Sequence, residues 1–297
     1  MKTQKTDFLV PIDFKLFSLK SIDYAKNLLN DLKGTIHLIH VIESESWWSS
    51  YFNEKEIIQQ ASEKLEMLKK EQNLPDKTII KVVIGKSYEE IIKYAKKINA
   101  RYIVLADNYP LSKGDKKLGS TVSQAIMRAE RPVITLTEKE ESQFKNVLVP
   151  LDLHQSCRMQ LYCSIAMALN HGSKIHMVSV IFNMEQLKSS RIHNKIEKYK
   201  RAYEDNGIDY SIELIVKEET LAYKEILNYA HTNNMDSILI MTHRESARYD
   251  NYLGAFAHHI INGAKIPVIT INNASASNWE SKLPTTTIDP MGIFTKK

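Results

Sequence analysis

Long apolar runs are missing from the 297 residues. The longest are strand-sized, well short of the roughly 20 residues that cross a bilayer, so no membrane span is expected. The opening stretch MKTQKTDFLVP lacks the apolar core of a secretory leader. Cysteine is scarce: Cys157 and Cys163 are the two in the chain. Both fall on one expected helix, at a spacing that does not suit a disulfide within it. Such low usage fits a reducing compartment, and the expected location is the cytoplasm. Charge of one sign is also lacking, since 40 Lys and Arg face 35 Asp and Glu, a net of +5. Lysines and glutamates interleave along the helices, which reads as solvated faces and not as a nucleic-acid footprint. Neither first strand is followed by a glycine-rich dinucleotide fingerprint, which argues against a nicotinamide or flavin enzyme. No Gly-x-Ser-x-Gly elbow is present, and no constellation supports a nucleophilic enzyme.

What the chain does have is a second copy of itself. DFLVPIDF (7–14) returns as NVLVPLDL (146–153), and RPVITL (131–136) returns as IPVITI (266–271). One block opens each half and the other closes it. A repeat of this length is a duplicated domain, since solenoid units run to about 20–50 residues. The expected division is residues 1–139, 140–272 and a tail over 273–297, with TEKEESQFK (137–145) as linker. The tail is rich in Ser, Thr, Asn and Pro and is expected to be loosely held. Its Ile288, Met291, Ile293 and Phe294 offer apolar side chains for docking.

Each half reads as five strands alternating with four helices. In the first, the expected strands are 7–12, 35–42, 77–84, 101–106 and 132–136. The expected helices are 21–33, 54–73, one opened by a Ser87/Glu90 capping box, and one beginning near Ser120. Gly34 is read as the stop of the first helix. Strands are expected in the second half at 146–151, 174–181, 210–216, 237–242 and 267–271. The helices between them are expected over 155–170, 185–206, 220–233 and 255–263. Strand–helix alternation implies right-handed crossovers and a parallel sheet. In such a sheet ligands bind beyond the carboxyl ends of the strands, where the strand order reverses. The loops to watch therefore follow the first and fourth strands of each half.

Several tempting motifs have plainer readings. Gly85-Lys86-Ser87 invites a phosphate-loop reading, but the pattern needs a glycine where Ile80 stands. It is read as a strand-to-helix turn with Ser87 as N-cap. His258 and His259, with His243 nearby, suggest a metal, yet adjacent residues on a helix point apart, and surface or interface roles are expected. His37 and His176 hold equivalent second-strand positions; His40 is taken to face the same way as His37, and packing is expected for all three. Trp47 and Trp48 are read as packing residues, with cover for a nucleoside pocket as the alternative.

The watched loops resemble the universal stress protein family, over roughly 5–137 and 144–271. The resemblance rests on VPID or VPLD at the end of strand one, LGST (118–121) or LGAF (253–256) opening the last helix, and PVITL or PVITI closing the domain. It implies two Rossmann-like or flavodoxin-like α/β domains, each a five-stranded parallel sheet of order 3-2-1-4-5. The last strands commonly pair two domains in this family, so the resemblance also implies an intramolecular pseudo-dimer and allows a homodimer. Family members that bind ATP carry Gly-x-x-Gly, nine residues, then Gly and Ser after strand four. Glycines let the main chain approach a phosphate, and amides at a helix N-terminus bind the anion. Carried over residue by residue, the nucleoside side is Pro11, Asp13 and Val41. The phosphate side is Gly119, Ser120 and Thr121.

Two of the expected glycines are replaced, by Ala106 and Tyr109, although Lys113, Lys116 and Lys117 stand nearby. In the second half Met241 and Arg244 take the glycine positions, Ala255 replaces the serine, and Asp152 remains. A strand-end Asp can also hold local backbone amides. Two functions stay open. One is a non-catalytic stress-response module with degenerate nucleotide sites, working through an unknown protein partner. The other is an ATP-binding sensor that uses the first half, with slow or no hydrolysis.

Overall fold

The computed structural model describes residues 6–30, 34–43, 53–106, 118–136, 144–153, 158–182, 190–217, 221–242 and 253–272. By its internal contacts the chain divides into two compact units, 1–142 and 143–297. The expected tail over 273–297 lies outside the described residues.

In the first unit the strands are β1 (Thr6–Pro11), β2 (Gly34–Glu43), β3 (Ile79–Gly85), β4 (Tyr102–Ala106) and β5 (Val133–Leu136). The helices are α1 (Leu16–Asn30), α2 (Glu54–Glu71), α3 (Ser87–Lys97) and α4 (Ser120–Arg128). The sheet is parallel and runs β3-β2-β1-β4-β5. The second unit repeats it with β6 (Asn146–Pro150), β7 (Lys174–Ile181), β8 (Tyr210–Val216), β9 (Ser237–Met241) and β10 (Val268–Ile271). Its helices are α5 (Arg158–His171), α6 (Ser190–Glu204), α7 (Ala222–Thr232) and α8 (Ala255–Gly263). The order there is β8-β7-β6-β9-β10, again parallel. Both units therefore have the 3-2-1-4-5 order and the doubly wound α/β fold. None of the described helices is long and apolar enough to cross a membrane.

The core explains the elements. Phe8, Leu9 and Val10 are fully buried, as are Val147, Leu148 and Val149. A central strand with no exposed alternate residue is covered on both faces. Ile22, Ala25, Leu28 and Leu29 form the buried stripe of α1, and Ala61, Leu65 and Leu68 that of α2. Each large side chain so buried contributes about 1.5–3 kcal/mol. The outer strands β3 and β8 are only partly covered.

Two expectations about helix starts are corrected. Helix α1 begins at Leu16, five residues before its expected start at Ser21. Leu16 is 72% exposed, so the opening turn carries no apolar period to be read. Gly34, expected to stop that helix, is the first residue of β2. Ser87 is not an N-cap. Lys86 holds the cap position without a side-chain bond, and the Ser87 hydroxyl donates to Glu43 Oε1 at 2.6 Å. The charged acceptor on the neighbouring strand outcompetes the local amide. The phosphate-loop look-alike is thus a plain strand-to-helix turn. A Cβ on Gly85 would lie 2.8 Å from Cγ of Glu90, so glycine there serves local packing.

Four crossover helices end alike. Asn73, Asn99, Gly207 and Asn234 take left-handed φ values of 48°, 54°, 63° and 51°. The next residue then donates its amide five residues back: Leu74 to Lys69, Ala100 to Ala95, Ile208 to Tyr203 and Met235 to Ala230. Those four residues are all buried. This is the Schellman arrangement, in which an apolar residue seals the helix end as the chain turns toward the next strand.

Candidate functional site

Strand order reverses between β1 and β4, which places a switch point at their carboxyl ends. Pro11 ends β1 and Asp13 follows two residues on. Val41 stands near the end of β2, in register with Val83 of β3. Ala106 is the last residue of β4. Gly119 is the N-cap of α4, with Ser120 and Thr121 opening that helix. The sheet thus gathers Pro11, Asp13, Val41 and Ala106 at one edge. Tyr109, Lys113, Lys116 and Lys117 lie outside the described residues, as do Trp47 and Trp48.

The carboxylate of Asp13 is engaged locally. Its Oδ1 accepts from the Lys15 amide at 3.0 Å, and Lys15 Nζ lies 3.5 Å from Oδ2. The Asp13 amide donates to Ser18 Oγ at 3.4 Å. Phe14, at φ 60°, turns the chain out of the sheet between them. This is an Asx-type turn. His40 lies three positions from His37, so the pleat puts the two on opposite faces, which corrects the expectation that they face one way. The His40 ring packs 4.6 Å from that of Phe14, and its Nδ1–H donates to the Ile12 carbonyl at 2.7 Å.

His37 and His176 are structural. His37 is buried, 3.3 Å from the Tyr94 hydroxyl and 3.9 Å from Asp7 Oδ2. The His176 ring has Nε2 at 3.2 Å from Asn146 Oδ1 and Nδ1 at 3.0 Å from Ser211 Oγ. One nitrogen faces an acceptor and the other a hydroxyl donor, which suits a neutral imidazole. Burial pushes its pKa down, and the Lys174 charge adds to this. His259 stacks on Tyr223 at 4.3 Å, and Asn262 packs against His258. No group of three or more metal-capable side chains occurs among the described residues; His243 lies outside them.

The second unit places a cavity of about 450 Å³ at the same sheet edge. Pro150, Asp152, Val180, Met241 and Gly254 line it, the counterparts of Pro11, Asp13, Val41, Ala106 and Gly119. Ala255, the counterpart of Ser120, is the first residue of α8; Arg244 lies outside the described residues. Here Lys195 of α6 holds the strand-end loop, donating to the carbonyls of Asp152 at 3.1 Å and Leu153 at 3.0 Å. The remaining walls include Phe182, Ile192, Ile226 and Phe256. Reading by motif missed these, because it followed the glycines. Overlaying the two copies finds Phe256 and adds two polar lining residues: Ser179 stands at the position of His40, Gln160 at that of Ser21, and Phe256 at that of Thr121.

Comparison with known proteins agrees with this fold. The family model for the universal stress protein family matches residues 6–136 and again 143–272. Among solved structures, a universal stress protein from Archaeoglobus fulgidus superposes with a TM-score of 0.68 at 18% identity, covering 91% of this chain and 99% of that one. A functionally unknown protein from Pseudomonas aeruginosa gives 0.62 at 14% identity, covering 95% and 99%. Another P. aeruginosa protein, described as a putative universal stress protein, gives 0.61 at 14%, covering 94% and 98%. No curated protein matches the chain. At these identities the solved structures establish the fold, while the double match to the family model establishes kinship: the chain belongs to the universal stress protein family and carries its domain twice.

Proposed function

We propose that this protein is a non-catalytic, cytoplasmic stress-response module whose nucleotide sites have degenerated, and that it acts by presenting surfaces to a protein partner. The observation that carries this reading is the state of Asp13. Its carboxylate accepts from the Lys15 amide and pairs with the Lys15 ammonium, so that a sugar would compete with the protein's own loop for it. Ala106 supports it from the other side of the switch point, because a side chain stands where bare backbone should approach phosphate. In the second unit the same logic is stronger, with Met241 and Phe256 at the corresponding places. The residues present therefore do not fit an ATP cradle in full, and no chemical step is assigned. Native mass spectrometry of gently purified protein tests this directly. A chain free of adenine nucleotide is expected; a stoichiometric nucleotide adduct would overturn the reading.

One observation favours the alternative, an ATP sensor in the first unit. Gly119 caps a nine-residue helix that opens with Ser120 and Thr121, neither of them buried. Amides at such a terminus attract an anion. On that reading Asp13→Ala combined with Gly119→Val abolishes a single ATP site per chain.

A further inference from the structure

The cavity of the second unit has chemistry of its own, and it goes beyond the preceding reading because it does not depend on what the first unit binds. Its walls are apolar: Phe182, Ile192, Ile226, Met241 and Phe256 contribute most of their character. At about 450 Å³ it lies within the range of about 300–1,000 Å³ usual for small-molecule sites. Among the described residues that line it, Asp152 alone carries a charge, and that charge is negative. Phe256 replaces the counterpart of Thr121, so the first turn of α8 offers a ring where a phosphate-binding hydroxyl would stand. Among the described lining residues a phosphate would meet no cation, the Lys195 ammonium being turned to the Asp152 and Leu153 carbonyls, and burying it against hydrocarbon carries a high desolvation cost.

Two polar side chains break the apolar lining. Gln160 is 4% exposed, and its amide nitrogen donates to the carbonyls of Pro150 at 2.8 Å and Leu239 at 2.9 Å. Carbonyls only accept, so the nitrogen must face them and the side-chain orientation is fixed by chemistry. Both amide protons are then spent, and the oxygen is left without a partner among the described residues. That oxygen belongs to a residue that lines the cavity. Ser179 is 3% exposed and also lines the cavity. In the first unit this place belongs to His40, whose ring fills the space against Phe14. Exchanging an imidazole for a serine opens room and leaves a hydroxyl beside it.

We propose that the second unit is a binding site for a small, uncharged, largely apolar molecule, aromatic or alicyclic, that carries a hydroxyl or N–H donor directed at Gln160 Oε1. The walls supply affinity by burying hydrocarbon. The Gln160 acceptor selects ligands with a donor, because an analogue without one leaves it desolvated and unpaired.

The test is a matched titration of the full chain by calorimetry with 1-naphthol, 1-methoxynaphthalene and 1-naphthyl phosphate. The expected order is naphthol tightest, the methyl ether weaker by about five- to tenfold for one lost hydrogen bond, and the phosphate weakest. Ser179→His, which restores the first unit's arrangement, is expected to weaken naphthol binding at least tenfold. Methyl NMR on the unaltered protein locates the site without relying on that variant. The Met241 methyl resonance, assigned through Met241→Leu, is expected to shift on adding naphthol. A phosphate that binds as tightly as naphthol, a Met241 resonance that stays still, or no saturable binding would each overturn the proposal.

Discussion

Asp13 shows how far a single residue can be read. Its type and its place at the end of the first strand are legible in VPID, and the structure puts it at the switch point. Its occupation by Lys15 is not legible, because an Asx turn demands only an amide two residues on, which almost any sequence supplies. His40 and Ser179 differ in the opposite way. Their difference is visible on overlaying the copies, but its meaning needed the cavity. At this scale the clearest prediction concerns His176. Burial, then Lys174, depress its pKa below the ordinary 6.5. The unfolded chain therefore takes up the proton at a higher pH than the native one. Stability from this residue is present above about pH 6.5 and is lost as pH falls through the depressed native value. Urea unfolding at pH 7.5 and pH 5.5 checks this: His176→Asn is expected to lessen the loss between the two, with His258, depressed for the same reason of burial, keeping part of it. An unchanged loss in the variant would remove His176 from the account of acid sensitivity.

The elements were legible where burial is periodic and illegible where a helix end is decided by one bond. The stripes of α1 and α2 gave their faces directly. The start of α1 escaped because Leu16 is exposed, and the start of α3 escaped because Ser87 turns to Glu43. The left-handed ends at Asn73, Asn99 and Asn234 were equally hidden, since asparagine adopts that conformation only among other options. Asn73 is exposed, so its role there is conformational. Asn73→Ala is expected to cost about 1–2 kcal/mol, the usual penalty of left-handed backbone, while Asn73→Gly keeps or slightly raises stability. Chemical denaturation of both variants separates conformation from contact. For packing, Leu65→Ala in the fully buried stripe of α2 is expected to cost about 2–5 kcal/mol, read as a lower urea midpoint with an unchanged slope.

The whole molecule is one domain written twice, with the copies diverging at the same sheet edge. This duplication was the most legible feature of all, because the opening and closing blocks recur in order. What each copy does with its edge was not, because small residues and loops decide it. In the first unit the strand-end carboxylate is turned onto its own loop. In the second the corresponding place is a cavity, with the Phe256 ring where the first unit has the Thr121 hydroxyl and Ala255 where it has Ser120. On the proposed reading both changes disfavour a nucleotide, the first at its sugar and the second at its phosphates. The most direct measurement is an isothermal titration of the unaltered full chain with magnesium ATP. No saturable heat up to millimolar nucleotide is the expected result; a site of one per chain with micromolar affinity, lost in Asp13→Ala with Gly119→Val, is the result that would contradict a degenerate nucleotide edge.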